Sequence, residues 1–116
     1  MARGLTEESM AEPAGGGRLS FADLTIDEQT FEVWRSDTPV YLSQTEFRLL
    51  SYLIRYPNAT LSKARIRETV WQGRAGTLNL VEAYVSLLRK KIDTLGPPLI
   101  HTVRGVGYSF RLPVAA

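Results

Sequence analysis

The stretch NLVEAYVSLLRKKIDT, residues 79–94, decides the fold. Val81, Val85, Leu88 and Ile92 recur at i, i+4, i+7 and i+11, which places them on one apolar face of a helix. The opposite face holds Asn79, Ala83, Ser86 and Lys90, with Glu82, Leu87 and Arg89 on its flanks. Small residues on that outer face allow a close approach, and the longer polar and basic ones reach past them. A helix that reads DNA has this need, because base edges lie on the groove floor and phosphates along its rim. Gly96-Pro97-Pro98 stops the helix.

Downstream the period changes to two. Leu99 to Val103 reads as a strand, Arg104-Gly105-Val106-Gly107 as a tight turn, and Tyr108 to Leu112 as the return strand. The two glycines are expected to supply positive φ, which leaves Arg104 projecting from a hairpin tip. Gly105-x-Gly107 lacks the strand–loop–helix setting of a nucleotide loop, so it reads as hairpin chemistry.

Upstream lie two further helices. Ser43 followed by Glu46 is a capping box, and Leu42 with Phe47 is its hydrophobic staple. Phe47, Leu50 and Ile54, with Leu49 and Leu53 beside them, make a core stripe that ends at Pro57. Leu61-Ser62 opens a shorter helix with Ile66, Val70 and Trp71 facing inward, and a glycine-containing loop, residues 72–78, follows. Before these, Leu19/Phe21, Leu24/Ile26 and Phe31/Val33 alternate in short pieces separated by polar turns. Pro39 demotes Val40 to Leu42 to an edge strand. The expected architecture is α+β: a four-stranded antiparallel sheet, three helices and a C-terminal hairpin over residues 18–116. Residues 1–17, ending in Pro13, Ala14 and three glycines, read as a flexible linker or leader.

Composition narrows the function. At 116 residues the chain is one domain with a tail. It has no cysteine and a single histidine, His101, which removes thiol catalysis, zinc–thiolate sites and histidine-rich metal sites. No apolar run is long enough to span a membrane and no signal-peptide succession opens the chain, so a cytoplasmic setting is expected. The charge is uneven. Residues 62–116 hold nine bases against three acids, whereas residues 18–61 hold four against six. A basic C-terminal half suits a polyanion met by one face. With no phosphate loop, histidine pair or motif-placed carboxylate pair, an enzyme is not expected, and neither is a cofactor or metal.

Helix, helix, basic helix and basic-tipped hairpin follow the order of a winged helix-turn-helix, in which the third helix enters the major groove and the wing lies beside it. The runs LSQTEFRLLSYL, TLSKARIRETVW, NLVEAYVSLLRKKID and PPLIHTVRGVGYSFR resemble the effector domain of OmpR/PhoB-type response regulators, with a PhoP-like flavour. The resemblance implies sequence-specific promoter binding, usually by head-to-tail protomers on direct repeats, and so a monomer alone and a tandem dimer on DNA. It also implies an upstream receiver domain and a sensor kinase, the chain itself being read as an isolated effector domain. Carried over by position, its DNA-facing sites fall on Glu82, Ala83, Ser86, Leu87, Arg89, Lys90 and Arg104, to which the outer-face Asn79 and the post-turn Tyr108 are added. Many such domains have arginine or tyrosine where Leu87 stands, so readout there would be apolar, against a thymine methyl. The 72–78 loop is shorter than in the family and lacks its aromatic and acidic residues. That puts in doubt the RNA polymerase contact the resemblance implies for it. Glu82 has a local alternative, capping the helix start with Asn79, and Tyr108 has another, packing. A winged-helix protein-interaction module is the rival reading for the whole domain.

Overall fold

The computed structural model describes residues 17–72 and 78–113. The expected leader, residues 1–17, lies almost wholly outside them. Strands β1 (Arg18–Phe21), β2 (Leu24–Asp27), β3 (Glu32–Arg35) and β4 (Thr38–Val40) pair antiparallel in chain order. Alternation sets their inner face, burying Leu24, Ile26, Val33 and Val40. Asp27 closes the β2–β3 turn by accepting hydrogen bonds from the Gln29 and Thr30 amides at 2.9 and 3.2 Å. The edge strand falls at Thr38–Val40 rather than at 40–42: Tyr41 and Leu42 instead lead into the helix cap.

Helix α1 (Gln44–Arg55) starts with the expected capping box, Ser43 Oγ accepting from Glu46 N at 3.2 Å and Glu46 Oε1 from Ser43 N at 2.8 Å. Helices α2 (Lys63–Trp71) and α3 (Leu78–Ile92) complete the three-helix core, and Val81, Val85, Leu88 and Ile92 are all buried. Burying such side chains contributes on the order of 1.5–3 kcal/mol each, so this face holds α3 in place. The helix begins one residue before the expected start and ends two residues before the expected Thr94.

The C-terminal hairpin is β6 (Ile100–Val103) and β7 (Gly107–Phe110). A strand not anticipated from the sequence, β5 (Thr60–Ser62), pairs with β7 and makes it the centre of a three-stranded sheet. β5 is too short to show alternation, and its partner lies far along the chain. The glycine expectation is half right. Gly105 has φ +76°, but Gly107 does not have positive φ. Gly107 is there for space: a Cβ would lie 1.9 Å from the Leu61 carbonyl oxygen of β5.

Two buried charges lock α3 to the rest of the domain. Glu46, 3% exposed, also accepts a hydrogen bond from Lys91 Nζ of α3 at 2.7 Å. Burial pushes its carboxyl up, but the Lys91 hydrogen bond and charge, with the bonds from Ser43, outweigh this and hold it below the usual carboxylate range. A depressed carboxyl gives stability that is full above its unfolded pKa, near 4.5, and is lost as pH falls through the folded value. Glu46→Gln should therefore flatten the loss of stability below pH 4.5, read as urea midpoints in an acid series. An acid limb as steep as wild type would remove Glu46 from this role.

The second charge is Arg35 of β3, 1% exposed. Its guanidinium donates to Asp23 Oδ1 at 2.9 Å, to the Ile92 carbonyl at 2.7 Å and to the Pro97 carbonyl, with Asp93 Oδ1 3.8 Å away. It thus supplies donors to the carbonyl end of α3, where helical partners run out. Asp93 in turn accepts from the Leu99 and Ile100 amides at 3.0 and 3.2 Å, which fixes where β6 begins.

Candidate nucleic-acid interface

The packing of α3 leaves its outer face open. Asn79, Glu82, Ala83, Ser86, Leu87 and Lys90 are all exposed, as the helical period required. At the far end of the wing Arg104 is exposed, and the turn closes with the Val106 amide donating to the Val103 carbonyl at 3.0 Å. Between the two elements runs an open groove of about 360 Å³, lined by Ser62, Lys63 and Ala64 at the start of α2, Leu78 at the start of α3, and wing residues Thr102, Val103, Gly105, Val106 and Gly107. The starts of two helices and the wing therefore share one continuous surface.

Two of the nine expected site residues are placed differently from the rest. Tyr108 lies in the central strand β7 and is 5% exposed, so its ring is packed and is not an open surface group. Arg89 is half-buried and turned onto the wing. Its Nε donates to the Ile100 carbonyl at 3.2 Å, another guanidinium N–H donates to Thr102 Oγ1 at 2.6 Å, and its carbon centre stands 5.4 Å from the Tyr108 ring centroid. α3 begins at Leu78, so Asn79 lies inside the helix and is not its cap residue. Glu82 forms an ion pair and hydrogen bond with Lys63 Nζ. That hydrogen bond, with the Glu82 charge, holds the Lys63 ammonium above its usual range and keeps it charged. Lys63 adds a cation to the groove that sequence reading missed, because its partner lies on a different helix, nineteen residues on. Trp71, expected to face inward, packs edge to face against Tyr84 at 5.4 Å. Residues 73–77, most of the loop considered for RNA polymerase contact, lie outside the described residues.

Among the described residues no group of three acidic, histidine or cysteine side chains is placed to hold a metal ion, and no helix is long and apolar enough to cross a membrane. What the surface offers is shape and charge: a helix face with small residues at its centre, cations at both ends, and a hairpin arm beside it. That is the surface of a winged helix-turn-helix domain.

Comparison with known proteins agrees. Residues 37–110 match the family described as "Transcriptional regulatory protein, C terminal", and the chain belongs to that family. It is 46% identical over 110 residues to the transcriptional regulatory protein TrcR of Mycobacterium tuberculosis, covering 94% of this chain and 43% of the relative. The chain thus spans less than half the length of that curated relative. Among solved structures it is similar to the response regulator DrrB, an OmpR/PhoB homolog of Thermotoga maritima. The TM-score is 0.72 at 30% identity, over 82% of this chain and 44% of that one. It is also similar to the DNA-binding domain of Klebsiella pneumoniae RstA in complex with the RstA box, with a TM-score of 0.71 at 28% identity, over 81% of this chain and 96% of that one.

Proposed function

We propose that the chain is the sequence-specific DNA-binding effector part of an OmpR/PhoB-type response regulator, PhoP-like in flavour and non-catalytic, acting on promoter DNA in the cytoplasm. The observation that carries this is the exposed face of α3, Asn79, Glu82, Ala83, Ser86, Leu87 and Lys90, standing beside the Arg104 wing tip. In this reading α3 enters the major groove. Ala83 and Ser86 permit close approach, Leu87 meets a thymine methyl, and Lys90 neutralises a phosphate. Arg104 reaches the adjacent minor groove, whose negative potential is greatest where it is narrow and A·T-rich. Residues 18–116 act as one domain and 1–17 as its tether to an upstream receiver domain, which a sensor kinase addresses. Protomers bind direct repeats in tandem while the isolated chain stays monomeric, and any polymerase contact is made through the 72–78 loop.

The test is fluorescence anisotropy on a duplex selected by the protein from a random pool, against a shuffled duplex at the same salt. Wild type should prefer the selected duplex by 10³-fold or more, roughly, as specific binders do. Lys90→Ala should weaken both duplexes alike and lower the salt slope by about one unit. Arg104→Ala should cost more on A·T-rich than on G·C-rich flanks, with lysine restoring only part. Equal wild-type affinity for both duplexes would reject the reading in favour of a protein-interaction module.

A further inference from the structure

We propose that Arg89 is a positioning residue that sets the angle of the wing to α3, and so the reach of Arg104, and that it reads no base itself. The inference rests on the DNA-binding reading above and assigns Arg89 a different part in it from that of its helix neighbours.

The geometry separates Arg89 from Ser86, Leu87 and Lys90, which are exposed while it is half-buried. Its guanidinium touches both strands of the wing: the Ile100 carbonyl and Thr102 hydroxyl on β6, and the ring of Tyr108 on β7. Thr102 and Tyr108 are partners in the β6–β7 register, so the guanidinium spans that rung of the ladder and reaches back two rungs to Ile100. Tyr108 is buried in the core cluster and gives the cation a fixed base to stand on. Thr102 lies two residues from Arg104, so holding that rung holds the root of the tip.

To reach a base, Arg89 would have to release two hydrogen bonds and a cation–π contact in exchange for one bidentate contact. That exchange brings no clear gain. The planar fork suits the task, since its separate N–H groups serve two acceptors while its face lies on the ring; a lysine ammonium does not combine these.

The experiment is a double-variant cycle with Arg104, read on the selected duplex by anisotropy and, without DNA, by amide hydrogen exchange in the wing. Arg89→Gln and Arg104→Ala should each weaken binding roughly tenfold or more. Together they should cost little beyond the larger single loss, because Arg89 acts through Arg104. In the free protein the Val106 amide, which closes the wing turn, should exchange faster in Arg89→Gln and in Arg89→Lys. Failure of lysine to restore wing protection or affinity marks a geometric role, since lysine keeps the charge. Thr102→Val, an exposed site, should reproduce part of the faster exchange and keeps the test open if an Arg89 variant folds poorly. Losses that multiply in the double variant, or unchanged wing exchange, would overturn the proposal. If wild type showed no preference for the selected duplex, the DNA reading would fall, and the exchange data alone would still decide whether Arg89 holds the wing.

Discussion

Gly107→Ala is expected to destabilise the domain by about 3–5 kcal/mol, enough to melt the wing's sheet. The added Cβ would stand 1.9 Å from the Leu61 carbonyl oxygen and 2.8 Å from the Ser62 Cα. Both are backbone atoms, so no side chain can turn aside and β5 must part from β7. Overpacking alone costs roughly 1–3 kcal/mol, and each ladder hydrogen bond lost adds about 1 kcal/mol. Gly105→Ala is the control. It meets nothing within 4 Å, but its φ of +76° strains any L side chain, for a cost of about 1–2 kcal/mol. Urea unfolding of the two variants should rank Gly107→Ala well below Gly105→Ala. Equal midpoints would mean that β5 does not press on β7 as described.

Arg35→Met should cost about 2–5 kcal/mol. The Ile92 and Pro97 carbonyls lose their guanidinium donor, and an unsatisfied buried carbonyl costs roughly 1–3 kcal/mol. Arg35→Lys should recover less than half, since one ammonium does not replace a fork that also serves Asp23. Gly96 belongs to the same arrangement: a Cβ there would come within 2.9 Å of the guanidinium, so the chain passes close over Arg35. The acid response gives a second reading. Burial raises the Asp23 carboxyl, but the Arg35 hydrogen bond and charge, with smaller backbone and Ser36 bonds, bring it below its usual range. Its stabilisation is present above the unfolded pKa and lost as pH falls, and in Arg35→Met that dependence should shrink. Thermal melts across an acid series measure both effects. A methionine variant as stable as wild type would show that the two carbonyls find other donors.

Periodicity carried most of the fold. The four residues assigned to the buried face of α3 are all buried, and the capping box at Ser43 formed with both of its hydrogen bonds. These signals are local: each partner lies within a few turns of the chain. What the sequence hid is long-range. Nothing in the sequence singles out Lys91, yet it serves Glu46 forty-five residues earlier. Gly107 resembled a turn glycine, and only the neighbouring strand shows that it provides room. The same holds at the candidate interface. The wheel placed Asn79, Ala83, Ser86 and Lys90 outward, where they stand, but a wheel cannot distinguish a side chain directed to solvent from one folded onto a wing. Arg89 differs from its neighbours for that reason, while Glu82 stays exposed and pairs with Lys63 of α2.

The Arg35 contact also orders events during synthesis. The first sheet is a run of hairpins, each strand pairing with the next to emerge, so its ladder can zip while the rest of the chain is still being made. The guanidinium at the end of β3 has one early partner, Asp23, but its two carbonyl acceptors come late. The carbonyls that receive it lie fifty-seven and sixty-two residues further on, at the last residue of α3 and in the loop beyond it. Until they arrive Arg35 must remain hydrated, and the sheet cannot close over it. A nascent chain cut after α2 would therefore carry paired strands around a wet, unfinished centre, and the final locking of the sheet waits for the last turn of α3 and the segment that follows it.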